Sequence, residues 1–447
     1  MKKNDRLQVN IESYTSDGYG VAKPDGFVLF IPGTLVGEKV LAHVTKVNKN
    51  FGYARAMEII TPSPERVTPL CSICNACGGC ELWHMSYNEE LEFKRNKVLQ
   101  NLKKAGVMTE PQSTVGAPSV TEYRNKAQYP IRNINGKVCG GFYRHNSHDV
   151  IEGRCMIQPS LFDAILNAVI DFMKQNGVSA YNELTLKGTV RHLYLRKAKS
   201  GVMVCLVVNG TFNKKTELVN TLTVQFPDIS TICINYNDKN TNVVLGNRYE
   251  TVFGKGYITD TLCQKSFDIS PESFYQVNHD GCEQLYSLVR EYAEPTGKKV
   301  LDLYCGIGTI GICAAFDARE LVGVEIVEQA VVNARENAKR NGIENTRFIA
   351  GDAGAAVREA GDGFDVIIVD PPRKGCDQNT LDFLIEQKPS RLVYVSCDSA
   401  TLARDLKILS DGGFEIEKIT PVDMFPRTKH VECVVCLKRR NNDPYTF

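Results

Sequence analysis

The run Val300-Leu-Asp-Leu-Tyr-Cys-Gly-Ile-Gly-Thr-Ile-Gly311 decides the fold of the C-terminal part of this chain. Its apolar beginning predicts a buried strand, and the glycines that follow match G-x-G-x-x-G, a pattern that leads from a strand into a helix in open α/β sheets. Further apolar runs complete a set of predicted strands at 299–303, 321–325, 347–349, 366–369 and 391–395. Helical patterns separate these strands, which predicts a doubly wound, mostly parallel sheet over residues 266–447.

The rest of the chain predicts two further domains, since 447 residues exceed what one ordinary core accommodates. Residues 1–60 contain short strand-like runs between glycine-rich turns, which predicts a small β-barrel. Residues 61–265 begin with a proline-rich linker, continue with an amphipathic helix at 87–106, and then mix strand-like runs with a helix at 161–174. The predicted architecture is therefore a multidomain α/β chain with a barrel, a central α+β domain and a C-terminal doubly wound domain.

The composition is that of a soluble globular protein, with 43% hydrophobic and 23% charged residues. No apolar run approaches the roughly 20 residues that span a bilayer, and the N-terminus lacks an apolar signal core, so we expect a cytoplasmic protein without a membrane partner. A net charge of only +1 means that any nucleic acid must be bound by local basic patches. Sixteen cysteines without a secretion signal favour metal ligands, catalytic thiols and buried apolar cysteines.

Four of these cysteines lie within ten residues, in Cys71-Ser-Ile-Cys74-Asn-Ala-Cys77-Gly-Gly-Cys80. The two glycines allow the backbone to close tightly around a metal centre, so the run predicts a metal site. Zinc sites usually pair two separated knuckles, and ferredoxins use C-x₂-C-x₂-C-x₃-C-P. The run fits neither pattern, so its spacing alone leaves the metal and the ligand set open.

The glycine pattern alone does not identify the cofactor of the C-terminal domain. Their pattern, with Glu325 near the expected offset for a ribose contact, permits an enzyme that uses NAD. Two features favour S-adenosylmethionine (SAM) instead. Asp302 precedes the glycines, and Asp370-Pro-Pro follows the fourth predicted strand, where a reactive methyl group would lie.

Cys397 and Glu432 are the candidate catalytic pair. Cys397 ends an apolar run, and open α/β sheets bind ligands at the carboxyl ends of their strands. Methylation of uracil C5 needs a thiolate that adds to C6 and a base that removes the C5 proton. We expect nearby cations to lower the pKa of the thiol and desolvation to raise the pKa of Glu432. Taken singly, Cys397 reads as a small packed residue and Glu432 as a partner for a cation.

Several motifs resemble those of the RNA uracil-5-methyltransferase family, in the family's order: Phe274-Tyr-Gln276-Val-Asn, Asp370-Pro-Pro, Val395-Ser-Cys397-Asp and His430-Val-Glu432. The resemblance implies a Rossmann-like SAM methyltransferase domain, with Cys397 as nucleophile and Glu432 as base. It implies that the cofactor is bound by Gln276, Tyr304 and Glu325. Asp352 follows the third predicted strand and is expected to hold the adenine amino group, and Asp370 is expected to hydrogen-bond either the cofactor or the substrate ring. For Asp352, the role of helix N-cap is an equally good prediction. One departure is Arg427, where relatives often carry His in Phe-Pro-His-Thr.

The N-terminal segment and the cysteine run extend this resemblance. Gly18-Tyr-Gly-Val-Ala and Val28-Leu-Phe-Ile-Pro-Gly resemble the TRAM domain, an OB-like RNA-binding barrel, although a purely structural barrel is the alternative. The cysteine run resembles the family's iron–sulfur loop, C-x₅-C-x₂-C plus one distant cysteine. That pattern implies a 4Fe-4S cluster held by Cys71, Cys77, Cys80 and Cys155. Cys74 fits the local spacing as well as Cys155 does and stays an alternative ligand.

Relatives with both a TRAM-like barrel and an iron–sulfur cluster are ribosomal RNA enzymes, so the resemblance implies methylation of uridine C5 in 23S rRNA. We expect a monomer that binds RNA rather than DNA and takes a flipped or loop uridine. Aromatic and basic residues interleave at 123–126, 142–145 and 191–197, which are candidate RNA-binding segments or solvated strand faces. The rival interpretations are an NAD-dependent oxidoreductase with an iron–sulfur centre and an RNA-binding assembly factor with dormant chemistry.

Overall fold

The structure is a computed structural model that describes residues 1–440, apart from the side chains of residues 355–358. Its N-terminal part is a six-stranded sheet with the order β1-β5-β6-β4-β3-β2. The strands are β1 (Arg6–Asn10), β2 (Ser13–Tyr14), β3 (Gly20–Ala22), β4 (Val28–Ile31), β5 (Lys39–Val47) and β6 (Phe51–Thr61). Alternate residues of these strands, including Val9, Leu29, Ile31 and Val40, form one apolar core, as period-2 patterning requires.

The central part is a second six-stranded sheet with the order β14-β13-β12-β11-β7-β8, and a small β9–β10 hairpin lies beside it. In chain order its elements are α1 (Tyr87–Lys104), β7 (Lys126–Ile134), β8 (Lys137–Gly140), β9 (Phe142–Tyr143), β10 (Val150–Ile151), α2 (Ser160–Gln175), β11 (Val190–Ala198), β12 (Gly201–Val208), α3 (Lys215–Gln225), β13 (Ile229–Tyr236) and β14 (Arg248–Phe253). Helices α2 and α3 pack on one face of this sheet around Phe162, Val169 and Leu206.

The C-terminal part is a seven-stranded sheet with the order β19-β18-β17-β20-β21-β23-β22. A hairpin, β15 (Ile258–Leu262) and β16 (Lys265–Ile269), precedes this sheet. It shares one apolar core with the central sheet and the C-terminal sheet. The remaining elements are α4 (His279–Ala293), β17 (Lys299–Leu303), α5 (Thr309–Ala314), β18 (Glu320–Glu325), α6 (Glu328–Arg340), β19 (Thr346–Ala350), α7 (Ala353–Ala360), β20 (Val366–Val369), α8 (Gln378–Gln387), β21 (Arg391–Ser396), α9 (Ser399–Asp411), β22 (Phe414–Val422) and β23 (Glu432–Arg439).

The sheet order confirms the predicted doubly wound domain. Strands β17 to β21 are parallel, while β23 runs antiparallel between β21 and β22. Strand β6 was not predicted individually, and it continues into the predicted linker as far as Thr61 because it pairs with β5 along nearly its whole length. In residues 1–440 no helix combines the length and apolarity needed to cross a membrane.

Candidate active site

Strand pairing brings Cys397 and Glu432 together. In the antiparallel pair β21–β23, Ser396 lies opposite Cys433, and Cys397 and Glu432 are the residues that adjoin this last pair on the two chain segments. The charge of Glu432 raises the pKa of Cys397, so the two groups lie close together. Glu432 is buried, with a 6% exposed surface, whereas Cys397 is half-buried at the strand end. A thiol that a substrate can reach therefore lies close to a desolvated carboxyl group.

The neighbouring strands place Asp370 and Tyr304 on the same edge of the sheet. Val369 pairs with Tyr394 of β21 and with Leu303 of β17, and the Asp370 N–H donates to the Leu303 carbonyl at 3.3 Å. Asp370 therefore follows β20 at the point where the chain order of the parallel strands reverses. Open α/β sheets bind their ligands at such a switch point.

The pKa values of the pair reflect this crowding of acids. Burial, together with the carboxylates of Glu432 and Asp370, raises the pKa of Cys397 to about 11, although the cation of Arg373 opposes the rise. The expected lowering of the thiol pKa is therefore wrong, because desolvation and two acids outweigh one cation. Burial raises the pKa of Glu432 to about 8, as predicted from its apolar neighbours, with Asp370 adding to the rise. Burial also raises the pKa of Asp370 to about 7.

Arg373 is a site residue that sequence reasoning missed. It lies in the loop after Asp370-Pro-Pro, and its charge acts on Cys397, Glu432 and His430. Its backbone carbonyl accepts a hydrogen bond from the Thr401 hydroxyl at 3.1 Å, which ties the loop to α9. Its position directly after Asp370-Pro-Pro is the feature of the sequence that could have identified Arg373 as a site residue. Because it favours the ionised forms of both the thiol and the carboxyl group, it is the cation that the sequence analysis expected beside the nucleophile.

We predict that Arg373→Gln moves the acid limb of the kcat/KM profile to higher pH. Removal of the cation raises the pKa of both Cys397 and Glu432, so a higher pH is needed to ionise them. In the native protein that limb should rise as Glu432, with a pKa of about 8, and Cys397, with a pKa of about 11, ionise in turn. The measurement is kcat/KM against pH for the methyl transfer that the sequence motifs predict, with Arg373→Lys as the matched control that keeps the charge. A profile that falls in height without moving would contradict the electrostatic role.

The glycine-rich loop after β17 is held by two carboxylates. Asp302 Oδ2 accepts a hydrogen bond from the Gly311 N–H at 2.9 Å, and a Cβ at Gly311 would meet the same oxygen at 2.8 Å. Glu325 Oε2 accepts one from the Gly306 N–H at 3.1 Å. Gly308 has φ 82°, a left-handed conformation that favours glycine. The loop thus has a defined shape, and Asp302 Oδ1 is buried without a hydrogen-bond partner in the described structure.

The other predicted cofactor residues are less closely grouped. Tyr304 has φ 65°, and its hydroxyl contacts the Thr380 hydroxyl at 3.2 Å. Asp352 caps α7 by accepting from the Gly354 N–H at 3.0 Å, so its N-cap role is present in the structure. Gln276 lies outside the sheet, in the loop before α4, and its carbonyl accepts from Asn125 Nδ2 at 3.0 Å.

A buried ionic network supports the segment that leads to Glu432. Lys94 Nζ on α1 donates to Glu90 at 2.7 Å and to Asp423 at 2.6 Å, and all three side chains have no exposed surface. The Tyr87 hydroxyl donates to Asp423 at 2.8 Å. Loss of one partner of such a buried network typically costs about 3–5 kcal/mol, because the remaining charge stays buried and unpaired. Helix α1 thereby fixes the start of the loop between β22 and β23.

Arg427 joins this loop to the end of the cysteine run. Its N–H donates to Glu90 Oε1 at 2.7 Å, and its guanidinium lies 5.2 Å from the centre of the Trp83 ring. Its carbonyl accepts from the N–H groups of Glu81 and Leu82 at 3.1 and 3.0 Å. The arginine that departs from the family's usual histidine is thus a packed structural contact five residues before Glu432.

The predicted cluster ligands lie near one another. Cys71 packs with Trp83 and Ile157, and Cys74, Cys80 and Cys155 border the same apolar cluster. Burial raises the pKa of Cys155 to about 11, and the neighbouring thiols Cys77 and Cys71 add to this. Thiols that converge from two distant segments match the donor chemistry of an iron–sulfur centre. Within the described residues, however, no three His, Cys, Asp or Glu side chains adopt an arrangement that would hold a metal ion.

Known protein families match most of the chain. The family model described as tRNA (Uracil-5-)-methyltransferase matches residues 86–440, and the TRAM domain model matches residues 2–57. The chain belongs to the tRNA (uracil-5-)-methyltransferase family. An uncharacterized RNA methyltransferase of Clostridium acetobutylicum is 43% identical, with 98% of each chain covered. Another from Listeria monocytogenes is 44% identical, again with 98% of each chain covered.

A solved structure shares the whole architecture. The tRNA (uracil-54, C5)-methyltransferase of Pyrococcus abyssi, in complex with S-adenosyl-L-homocysteine, superimposes with a TM-score of 0.80 at 28% sequence identity. The match covers 96% of this chain and 99% of that chain. Membership of the uracil-5-methyltransferase family confirms the predicted fold class, the TRAM domain and the use of SAM. It also favours SAM over NAD as the cofactor of this chain.

Proposed function

We propose that this methyltransferase transfers a methyl group to C5 of a uridine in 23S rRNA through a covalent adduct with Cys397. The observation that carries this proposal is that Cys397 and Glu432 adjoin the last residue pair of β21 and β23, with the charges of Glu432 and Asp370 both acting on the thiol. We assign RNA binding to residues 1–60, cluster binding to residues 61–265 and methyl transfer to residues 266–447. The site of action is the cytoplasm, and the active form is a monomer.

The proposed reaction uses the thiol and the carboxyl group in turn. The Cys397 thiolate adds to C6 of the uracil ring, and the electron pair of the C5–C6 double bond moves onto C5 and the O4 carbonyl. SAM supplies the methyl group that C5 attacks and leaves as S-adenosylhomocysteine. Glu432 then takes the C5 proton, so the C–H electron pair re-forms the double bond and expels the thiolate. With a pKa of about 8, Glu432 gains and loses a proton easily near neutral pH.

We assign the binding of SAM to residues at the carboxyl-terminal edge of the sheet, including Asp370. The edge carries Tyr304, Glu325 and Asp370 on adjacent strands, and we assign them, with Gln276 and Asp352, to SAM. Arg373 stabilises the thiolate, since its charge lowers the pKa of Cys397. The raised pKa of the thiol means that this cation and the bound reactants must together promote ionisation.

tRNA is the second candidate substrate. The Pyrococcus abyssi neighbour acts on uracil 54 of tRNA, and its similarity covers nearly the whole of both chains. The proposal of 23S rRNA rests on the presence of both a TRAM domain and the cysteine run. This combination resembles the domain content of the ribosomal RNA enzymes of the family. A denaturing gel of the protein with SAM and RNA that carries 5-fluorouridine tests both, because fluorine cannot leave C5 as a proton does. A covalent band with 23S fragments supports the proposal, whereas a band with tRNA alone moves the activity to tRNA.

We further propose that Cys71, Cys77, Cys80 and Cys155 hold a 4Fe-4S cluster. We expect Cys155→Ala to lose the iron, the acid-labile sulfide and the visible absorbance of the anaerobically reconstituted protein, because each thiolate is a ligand. Cys74→Ala is the matched control in the same loop and should keep all three. The reverse result would make Cys74 the fourth ligand, and equal metal content in both variants would contradict the assignment of Cys155.

A further inference from the structure

Two cations face each other across neighbouring strands of the central sheet. In the antiparallel pair β7–β11, Lys126 lies directly opposite Arg196. The next residues along each strand, Ala127 and Leu195, belong to the apolar core beneath α2. Because side chains alternate along a strand, both cations point to the opposite face of the sheet. Like charges in such a position repel each other and destabilise the sheet.

A third cation adds to the pair, and no acid compensates it. Burial, together with the charges of Arg196 and Arg124, lowers the pKa of Lys126 to about 8. Arg196 is only 2% exposed, and its Nη1 donates to the Ser273 carbonyl at 3.0 Å while its Nε is buried without a partner. Among the side chains that the structure describes, none of these three cations forms an ion pair with a carboxylate. Arg196 is buried and Arg124 and Lys126 are half-buried, and cations grouped in this way without a counterion favour the binding of an external anion.

Residues next to this cluster form hydrogen bonds with two segments that carry candidate site residues: the loop that contains Gln276 and the loop that leads to Glu432. The Asn125 N–H donates to the Val277 carbonyl at 2.7 Å, which places the strand start against the loop that contains Gln276. On the other side, the Tyr123 hydroxyl donates to the Pro426 carbonyl at 2.8 Å, in the loop that precedes Glu432. Lys126 is half-buried and so remains within reach of a ligand.

We propose that Arg124, Lys126 and Arg196 bind a backbone phosphodiester of the RNA next to the target uridine. A base that enters the active site brings its flanking phosphates with it, and phosphate contacts set the position of the strand without reading its sequence. Arginine and lysine are the residues that bind phosphate most strongly. This inference rests on the proposed function, since it requires RNA as the substrate. The carboxylate of SAM is the other source of an anion near this loop.

The test compares Lys126→Gln with Lys137→Gln. Lys137 is an exposed lysine on β8 of the same sheet, and it forms an ion pair with Glu152. Binding of a 23S rRNA transcript is measured by filter retention over a series of KCl concentrations. For Lys126→Gln we expect weaker binding and a slope of log K against log salt reduced by about one, the loss of one phosphate contact. Lys137→Gln should keep the native slope, and Lys126→Arg should restore it. The melting temperature of Lys126→Gln should equal or exceed that of the native protein, because a like-charge contact is relieved.

The outcomes separate this inference from the proposed function. If Lys126→Gln keeps the native salt slope while the 5-fluorouridine adduct still forms, the phosphate site is wrong and the proposed reaction stands. If calorimetry shows weaker SAM binding by Lys126→Gln with an unchanged salt slope, the anion is the carboxylate of the cofactor and the inference is overturned. If the native protein forms no adduct and binds neither 23S rRNA nor tRNA, the proposed function fails and the phosphate site fails with it.

Discussion

Replacement of Cys397 by alanine is expected to abolish methyl transfer, with a fall in kcat on the order of 10⁴ or more. C5 of uracil is too weak a nucleophile to attack the methyl donor unless a thiolate has first added to C6. The described site has no second thiol at this position, since Cys433 beside Glu432 is fully buried in β23. The measurement combines methyl incorporation into RNA with the adduct gel, and both signals should disappear.

The control for this change is Cys139→Ala, which removes a buried thiol from β8 of the central sheet. It should keep the adduct and most of the activity. Cys397→Ala should retain its affinity for SAM, because the thiol is not among the groups assigned to the cofactor. A Cys397→Ala enzyme that still methylates uridine would exclude the covalent mechanism and leave direct attack by C5 as the remaining route.

Glu432→Gln is expected to lower turnover by about 10²–10⁴, while the methylated adduct accumulates. The amide has nearly the same shape as the carboxyl group, but it cannot take the C5 proton, so the thiolate is not expelled. Loss of the carboxylate also lowers the pKa of Cys397, since Glu432 is one of the charges that raise it. Addition to C6 should therefore not slow down. The measurement is the denaturing gel with ordinary uridine, in which native enzyme leaves no stable band.

Glu415→Gln provides the matched control, because Glu415 lies on the neighbouring strand β22 with its side chain exposed. It should turn over normally and show no band. Mass spectrometry of the Glu432→Gln band should find the RNA fragment with one added methyl group. A Glu432→Gln enzyme that turns over freely would remove Glu432 as the base and direct attention to Asp370, a second carboxyl group whose raised pKa and charge act at this site.

Prediction of the fold succeeded where local patterns carry the signal. The alternation of apolar runs and helical patterns after residue 266 predicted strands β17 to β21 to within a residue or two at each end. The predicted helix at 87–106 is α1, whose N-cap Ser86 accepts from the Glu89 N–H as capping residues do. The position of β23 between β21 and β22 was not predicted, because strand order depends on contacts between distant segments.

The sequence by itself determined the family, the fold class, the methyl donor and the residue types that the reaction needs, since each depends on short motifs whose chemistry is local. Only the tertiary structure decided that Cys397 lies close to Glu432, that Arg373 is the cation whose charge acts on both, and that burial and two acids raise the thiol pKa. It also decided that Lys126 opposes Arg196 and that Lys94 joins Glu90 to Asp423. These relations depend on strand register and burial, because electrostatic energies are set by distance and desolvation between residues far apart in the chain.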